Sequence, residues 1–182
     1  MNIILVRHGK PLFDERKWLK GSEFSLWVKL YDLSGVQEED SYPIHRSSLI
    51  VTSDFKRSID SAQLLSPSAE VISDPLFREV GLPVMNSDLR LSPRVWTVLL
   101  RLVWLSGYSR GCESYREAKR RAVAASAKLV EWARVHESIM LVGHGFFNML
   151  IAKELLKSGW TGKRRASSKY WSSTVYVFEG DT

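Results

Sequence analysis

Two histidines stand beside glycines where short, mostly apolar runs of the chain end. Residues 3–6 lead into Arg7-His8-Gly9, and residues 138–142 lead into Gly143-His144-Gly145. An imidazole can attack phosphorus as a nucleophile, and the planar fork of an arginine matches the oxygens of a phosphate. The two motifs therefore predict a site for a phosphoryl group. The alternative is that they are polar strand ends that merely face water.

Two further charged residues supply groups that phosphoryl transfer needs. Ser53 and Asp54 precede a helical pattern over residues 55–65, so Arg57 falls in the first turn of a helix that follows a strand. A cation is mildly unfavourable at that position, so an anionic ligand would account for it; the alternative is a solvated arginine. Glu79 offers an acid in a separate segment. We expect Asp54 to cap the helix rather than to take part in chemistry.

The elements that must hold these residues alternate between strands and helices. Apolar runs predict strands at 3–6, 48–52, 70–73, 138–142 and 174–178, and apolar periodicity or composition predicts helices at about 22–31, 55–65, 94–105, 113–136 and 146–156. This alternation predicts an α/β three-layer sandwich, in which helices cover both faces of a mostly parallel central sheet. The carboxyl ends of parallel strands share one edge, where such sheets place their ligands. Segments 32–43 and 159–165 are predicted loops.

The composition is that of one globular domain over residues 1–182. Hydrophobic residues make up 45% of the 182, which suffices for a proper core. The single cysteine, Cys112, excludes an internal disulfide and a cysteine-based metal site. The N-terminus does not read as a signal peptide, so we expect a cytoplasmic protein. The net charge of +6 favours an anionic partner, either a nucleic acid or a phosphorylated small molecule.

Five stretches, taken in order, resemble the motifs of the histidine phosphatase superfamily, which includes the cofactor-dependent phosphoglycerate mutases. The stretches are Leu5-Val6-Arg7-His8-Gly9, residues 53–62, Leu76-Phe77-Arg78-Glu79, Gly111-Cys112-Glu113-Ser114 and Leu141-Val142-Gly143-His144-Gly145. An Arg-His-Gly triplet alone is weak evidence for such a relationship. All five motifs in the family's order are specific, and they cover most of the chain.

The resemblance implies a role for each matched residue. His8 would attack phosphorus and become phosphohistidine, and Glu79 would protonate the leaving alkoxide and then activate water. The phosphoryl oxygens would be held by Arg7, Arg57, His144, Gly9 and Gly145. Neither a metal ion nor a cofactor is implied, because fixed guanidinium groups and a helix N-terminus can neutralise the charge. Cationic neighbours should lower the pKa of His8 and so keep its attacking nitrogen free.

Several positions depart from the family pattern. Lys10 and Pro11 follow the triplet where an acidic residue is common, and Asp14 stands where the mutases place an asparagine. The common Leu-Thr-x-x-Gly stretch is reduced to Leu33-Ser34-Gly35. These departures favour hydrolysis over mutase activity. They also make Lys10 a candidate substrate contact near the leaving group, the alternative being a solvated lysine.

The segment between the candidate acid, Glu79, and the motif Gly111-Cys112-Glu113-Ser114 is expected to be a small helical cap insertion at about residues 81–112, because the family often carries one there. Within it, residues 94–105 predict a helix with Arg94 and Arg101 on one face and apolar residues elsewhere. We predict that this helix walls the substrate side of the pocket, with Trp96 and Arg101 as substrate contacts. The alternatives are a core helix and an exposed patch for dimerisation or membrane contact. The segment is too short to span a bilayer, which needs about 20 apolar residues.

The sequence therefore favours a metal-independent phosphomonoester hydrolase that acts through a phosphohistidine on a small phosphorylated substrate. A phosphomutase of the same family is one alternative, and a family member that binds phosphorylated ligands without turnover is another. A third is a basic protein that binds nucleic acid or another anionic surface through Lys163-Arg164-Arg165 and Lys169. No aromatic and basic stacking motif accompanies that run, which argues against nucleic acid. The sequence indicates neither the physiological substrate nor the oligomeric state.

Overall fold

The structure of the protein is a computed structural model, and it describes residues 1–13, 18–39, 42, 45, 47–67 and 69–180. Within these residues lie six strands: β1 (Asn2–Arg7), β2 (Leu49–Thr52), β3 (Val71–Ser73), β4 (Ser138–Gly143), β5 (Thr161–Gly162) and β6 (Ser173–Val177). The same residues form five α-helices: α1 (Gly21–Asp32), α2 (Lys56–Leu65), α3 (Pro93–Leu105), α4 (Tyr115–His136) and α5 (Gly145–Lys157). A 3-10 turn spans Pro75–Phe77. Asp14 and Pro43, on which two sequence expectations fall, lie outside the described residues.

The strands form one sheet in the order β3-β2-β4-β1-β6-β5. Strand β1 runs parallel to β4, β4 to β2, and β2 to β3. Strands β6 and β5 are antiparallel and extend the sheet beyond β1. Parallel neighbours cannot be joined by a tight turn, so helices cross over between them, as the alternating pattern of the sequence predicts. The mostly parallel central sheet is confirmed.

The central strands are apolar at nearly every position because helices cover both faces of the sheet. Ile3 and Leu5 of β1 pack with the apolar sides of α4 and α5, whereas Ile4 and Val6 pack with Ala62 of α2 on the opposite face. Successive side chains of a strand point to opposite faces, so an unbroken apolar run suits a strand that is covered twice. The predicted three-layer α/β sandwich is therefore confirmed.

Helices α1 and α3 pack on each other beside the carboxyl edge of the sheet. Phe24 of α1 forms a small separate core with Trp96 and Leu100 of α3. The indole N–H of Trp96 donates to the carbonyl of Leu19 across 2.7 Å, which ties α3 to the segment before α1. Residues of both helices line a cleft together with His8, so the pair borders the edge where the two histidine motifs lie.

Two local differences from the sequence expectation have simple causes. The predicted loop 159–165 contains β5, whose two residues pair with the edge strand β6; a two-residue strand leaves no periodic pattern. Helix α4 begins only after Ser114, because Ser114 and Glu117 form a reciprocal capping box there. None of the described helices has the length and apolar character needed to cross a membrane.

Candidate active site

His8 and His144 lie side by side because their strands are neighbours in register. Arg7 at the end of β1 is paired with Gly143 at the end of β4, and each histidine follows directly. The backbone N–H of His8 donates to the carbonyl of Gly143 across 3.0 Å, and the two imidazole centroids are 5.1 Å apart. His8 is 3% exposed and His144 is fully buried. The sheet topology thus brings the two motifs together, as the sequence predicts.

The hydrogen bonds of His8 define its tautomer. Nδ1 lies 2.7 Å from the carbonyl oxygen of Gly9, and because a carbonyl only accepts, Nδ1 carries the proton. Nε of Arg57 donates to Nε2 across 3.2 Å, so Nε2 carries a lone pair. Burial first, and then the charges of Arg57 and Arg7, hold the pKa of His8 well below its ordinary value. The imidazole is neutral, with Nε2 as its nucleophilic atom.

Gly9 is required because the indole of Trp171 closes on it. A Cβ at this position would lie 2.1 Å from the Trp171 ring, so any side chain would displace one of the two. The N–H of Gly9 donates to the hydroxyl of Ser61, which in turn donates to the carbonyl of Arg57. This bridge fixes the segment that carries His8 against the first turn of α2.

Arg57 extends from that first turn into the site and is almost fully buried. Beyond its bond to His8, its guanidinium donates to Oδ1 of Asp32 across 2.8 Å. The rings of Phe55 and Tyr31 flank it at 4.7 and 4.9 Å from Cζ. Burial raises the pKa of the Asp32 carboxyl, while the charge of Arg57 partly opposes that shift. Arg57 is therefore held in place from two sides before any ligand arrives.

His144 is oriented by Ser53, which follows β2. The hydroxyl oxygen of Ser53 lies 2.6 Å from Nε2 of His144 and accepts the N–H of Phe55 at 3.4 Å. We infer that the hydroxyl proton is donated to Nε2, which leaves Nδ1 protonated. Burial, followed by the charge of Arg57, holds the pKa of His144 well below its ordinary value, so this imidazole is neutral too.

Arg7 completes the cationic side of the site. Its guanidinium donates to the carbonyl of Ser168 and lies 4.0 Å from the centre of the Tyr170 ring. Among the described residues, Nε of Arg7 and Nδ1 of His144 are both buried without a hydrogen-bond partner. A Cβ on Gly145 would lie 3.4 Å from Nε of Arg7, so the absence of a side chain at Gly145 leaves space next to that nitrogen. Buried N–H groups usually have partners, and two such groups beside His8 indicate an anionic acceptor.

The carboxylate of Glu79 lies against the N-terminus of α5, the helix that begins at Gly145 of the His144 motif. Its Oε1 accepts the N–H groups of Val80 and Phe147, and its Oε2 accepts that of Phe146, at 2.9 to 3.0 Å. A helix N-terminus favours negative charge, which suits a carboxylate. Glu79 also lines the same cleft as His8.

Two arginines hold the Glu79 segment. Arg101 of α3 donates to the carbonyl of Val80 at 2.9 Å and to that of Gly81 at 3.3 Å. Arg121 of α4 donates to the carbonyls of Leu76 and Arg78, both at 2.8 Å, and pairs with the carboxylate of Glu113. The motif at residues 111–114, which carries Glu113, is thereby tied to the segment that carries the candidate acid.

The cleft has a volume of about 500 Å³ and opens beside His8. Of the predicted substrate contacts, Lys10 and Arg101 line it, and Arg94 and Thr97 of α3 lie beside them. The prediction for Trp96 is wrong. It is fully buried, because its side of α3 packs on Phe24 and not on the cleft. Helix α3 thus borders the cleft as predicted, but with its arginine face.

The sequence also misassigned or missed several residues. Asp54 does not cap α2, whose N-cap is Phe55 with no side-chain bond; it pairs with the guanidinium of Arg78 instead. Ser53 was not predicted as a site residue, although it follows a predicted strand and opens the second family motif, residues 53–62. Asp32 and Tyr170 lie in segments without a pattern that points to the site. The basic stretch 163–165 is exposed and lies outside the cleft.

The titratable residues that the structure describes include no group of three or more histidine, cysteine, aspartate or glutamate side chains placed to hold a metal ion. Cys112 is a partly buried free thiol, and burial raises its pKa. The polar groups of the site are two neutral imidazoles, two guanidinium groups and two carboxyl groups. Such a set can bind an anion, attack it and transfer a proton.

Comparison with known proteins places these observations in a family. The model of the histidine phosphatase superfamily, branch 1, matches residues 37–182, well over half of the chain. The matched range begins after Arg7-His8-Gly9, so the first motif rests on its own residues and on their place beside His144. A search of curated proteins found no significant sequence match.

Solved structures show the same fold at low identity. Phosphoglycerate mutase from Bacillus anthracis is 17% identical with a TM-score of 0.65, covering 98% of this chain and 91% of its own. The α-ribazole phosphatase of Shigella flexneri is 16% identical with a TM-score of 0.59, covering 99% and 92%. Mycobacterial glucosyl-3-phosphoglycerate phosphatase is 21% identical with a TM-score of 0.57, covering 86% and 79%. At these identities the similarity establishes the fold.

Proposed function

The chain belongs to the histidine phosphatase superfamily, branch 1, and on that premise we propose that it is a metal-independent phosphomonoester hydrolase that acts through a phosphohistidine at His8. The observation that carries the proposal is that Nε of Arg7 and Nδ1 of His144 are both buried without a hydrogen-bond partner among the described residues, as is Nε1 of Trp171 beside Gly9. The first two flank an imidazole whose Nε2 holds a lone pair. A phosphoryl group between them would accept both N–H groups and present phosphorus to that lone pair.

The first chemical step uses the groups as they stand. Nε2 of His8 attacks phosphorus, and the bond from phosphorus to the leaving oxygen breaks. The hydrogen bond that Nε of Arg57 donates to Nε2 shifts to a phosphoryl oxygen. Arg7 and His144 donate to the other phosphoryl oxygens. These donors act on charge that spreads over the equatorial oxygens in the transition state, which is where phosphoryl transfer needs stabilisation.

The leaving alkoxide needs a proton, and Glu79 is the group we assign to supply it. In this assignment its carboxyl group gives a proton to the departing oxygen and becomes a carboxylate, which the N-terminus of α5 stabilises. In the second step this carboxylate takes a proton from water, the water oxygen attacks the phosphohistidine, and phosphate leaves with His8 restored. The second step thus returns to Glu79 the proton that it gave up in the first.

The test compares the wild-type protein with His8→Ala on p-nitrophenyl phosphate, in the presence of a chelator. We expect chelator-resistant turnover in the wild type, and a loss of at least ~1,000-fold in the variant, about 4 kcal/mol of transition-state stabilisation. His136→Ala, on α4 away from the cleft, is the matched control and should keep full activity. Turnover that the chelator abolishes, or that survives in His8→Ala, contradicts the proposal.

A phosphomutase is the second candidate, since a phosphoglycerate mutase is among the solved structures with this fold. Both reactions share the phosphohistidine and differ only in what accepts the phosphoryl group. Incubation with 3-phosphoglycerate separates them, because a mutase forms the 2-phospho isomer and a hydrolase releases inorganic phosphate.

A further inference from the structure

The cleft beside His8 is lined by hydrocarbon on the sides away from the phosphoryl-binding groups. We call the apolar wall the set of side chains that α1, α3 and the segment before α3 contribute: Trp27, Val28, Tyr31, Leu82, Pro93 and Val98. Pockets of this kind recognise a ligand mainly by burying its apolar surface. The apolar wall would therefore contact the alcohol part of a phosphomonoester, while His8 and its neighbours would bind the phosphate.

The cleft offers few uncharged polar side chains that could bind the hydroxyls of a sugar, and its carboxyl groups, Asp32 and Glu79, already accept hydrogen bonds from Arg57 and from the N-terminus of α5. Apart from His8, its described lining contains no asparagine, glutamine, serine or histidine. The hydroxyl of Thr97 already donates to the carbonyl of Pro93 across 2.8 Å, and the hydroxyls of Tyr31 and Tyr170 bond to each other at 3.3 Å. A polyhydroxylated ligand that packs against the apolar wall would lose hydrogen bonds to water there without regaining them, which is unfavourable.

The apolar wall is rigid before any ligand binds. The indole of Trp27 stacks on Phe24 at 5.6 Å and on Tyr31 at 5.1 Å between ring centroids, with interplanar angles of 12° and 20°. Behind this stack, Trp96 and Leu100 complete the small core between α1 and α3. A preformed surface loses little conformational entropy on binding, so burial of a hydrocarbon against it is realised as affinity.

The cations of the cleft do not alter this picture. Arg101 is occupied by the carbonyls of Val80 and Gly81, and Lys10 and Arg94 are exposed to solvent at the rim. Long basic side chains at such a rim can cover apolar surface with their methylene stems while their charges stay in water. The positive rim attracts a doubly charged phosphate, and the apolar wall contacts the alcohol part of the ester.

We propose that the preferred substrate is a phosphomonoester whose alcohol part is a bulky hydrocarbon, and not a sugar or glycerate phosphate. This inference rests on the proposed function for the phosphate half of the ligand, and on the apolar wall for the other half.

The test compares three phosphomonoesters of primary alcohols, so that their leaving groups are alike: n-octyl phosphate below its critical micelle concentration, glycerol 3-phosphate and glucose 6-phosphate. Each buried CH2 group is worth about a four-fold factor in affinity, so we expect kcat/KM for octyl phosphate to exceed the others by roughly 100-fold. Equal values for the three, or a higher value for either polyol phosphate, overturn the proposal.

Two substitutions on one helix then locate the preference. Val98 lines the cleft, whereas Val95 lies on α3 outside it, and both side chains are at least half exposed, at 61% and 50%. We expect Val98→Asp to reduce the octyl-to-glycerol ratio of kcat/KM about ten-fold and Val95→Asp to leave that ratio unchanged. Equal effects of the two variants would assign the preference to the exposed side of the helix and contradict the apolar wall.

Binding measurements keep this inference separate from the proposed function. In calorimetry with the His8→Ala variant, octyl phosphate should bind roughly 100-fold more tightly than glycerol 3-phosphate. A protein that shows this preference but turns over none of the esters contradicts the hydrolase and supports the wall. A protein that hydrolyses all three esters equally supports the hydrolase and contradicts the wall.

Discussion

Nε of Arg57 lies 3.2 Å from Nε2 of His8, the one ring nitrogen of that histidine that holds a lone pair. The contact means that the atom that would attack phosphorus is already covered by a cation. In the proposed mechanism, an incoming phosphoryl group would accept the N–H of Arg57 and so free the lone pair of Nε2. The guanidinium itself stays in place, since Asp32 holds its far end at 2.8 Å.

The two buried histidines predict how stability depends on pH. Their pKa values in the folded protein lie well below 6.5, mainly because of burial, whereas in the unfolded chain they return to about 6.5. Below pH 6.5 the unfolded chain therefore binds protons that the folded protein does not. The free energy of unfolding should fall on acidification, by up to about 2.7 kcal/mol per pH unit for the two together.

Urea denaturation between pH 5 and pH 8 measures this slope. The raised pKa of Asp32 opposes it at the acid end, so the observed value should be lower than the limit. His8→Gln should remove about half of the slope, and His136→Gln should leave it unchanged. A free energy of unfolding that is constant between pH 7 and pH 5 would show that the imidazoles are not held neutral.

Glu79 and Asp32 are two carboxyl groups in one cleft, and leaving-group dependence separates their roles. A general acid matters most when the leaving oxygen is strongly basic. Because both esters share the second step, the comparison uses kcat/KM, which reports the chemistry up to loss of the leaving group. Glu79→Gln should lower kcat/KM on glycerol 3-phosphate by about 100-fold or more, and on p-nitrophenyl phosphate by less than about ten-fold. Asp32→Asn should lower both by a similar factor, because its loss disturbs Arg57 and not the proton.

Steady-state kinetics with both esters, supported by thermal melts of each variant, provide the measurement. Glu79 also accepts three N–H groups, so the melts are needed to separate a lost proton from a displaced segment. If Asp32→Asn shows the leaving-group dependence instead, the assignment of Glu79 as the acid is wrong.

Ser53 predicts the tautomer of His144. With the hydroxyl proton donated to Nε2, the ring carries its own proton on Nδ1, where the phosphoryl group would accept it. The ¹⁵N shifts of the imidazole should show this single tautomer in the wild-type protein and a mixture in Ser53→Ala. We expect that variant to lose about 1–3 kcal/mol of stability, because a buried ring nitrogen loses its partner, and to lose turnover as well.

The measurement needs both readouts from the same sample. A Ser53→Ala protein that keeps full activity and the Nδ1-protonated tautomer would show that the hydroxyl does not orient His144. A loss of stability alone, with the tautomer and the turnover intact, would reduce Ser53 to a packing residue.

The sequence predicted what depends on short segments. The apolar segments before His8 and His144 can be recognised from a few neighbouring residues. Because parallel strands end at the same edge of a sheet, the ends of these two segments are expected to lie close together. Arg57 was found for the same reason, since its place in the first turn of a helix is set by the residues around it. The pairing of β1 with β4 then supplied the geometry.

What the sequence did not predict depends on contacts between distant segments. Asp32 ends α1 and pairs with Arg57 of α2, which lies 25 residues further along the chain. Asp54 has the residue type and position of a helix cap, but the guanidinium of Arg78 competes for it and prevails. Trp96 lies on an apolar face of α3, and a periodic pattern shows that a face is buried without showing against what.

The order of strands in the sheet has a consequence for how the protein is made. Strand β1 leaves the ribosome first, yet both of its neighbours, β4 and β6, belong to the second half of the chain. Until β4 has been synthesised, the apolar run of β1 has no partner, and a nascent chain must be kept from aggregating through it. Folding therefore waits on long-range pairing, and the candidate site forms late, when β4 docks and sets His144 beside His8.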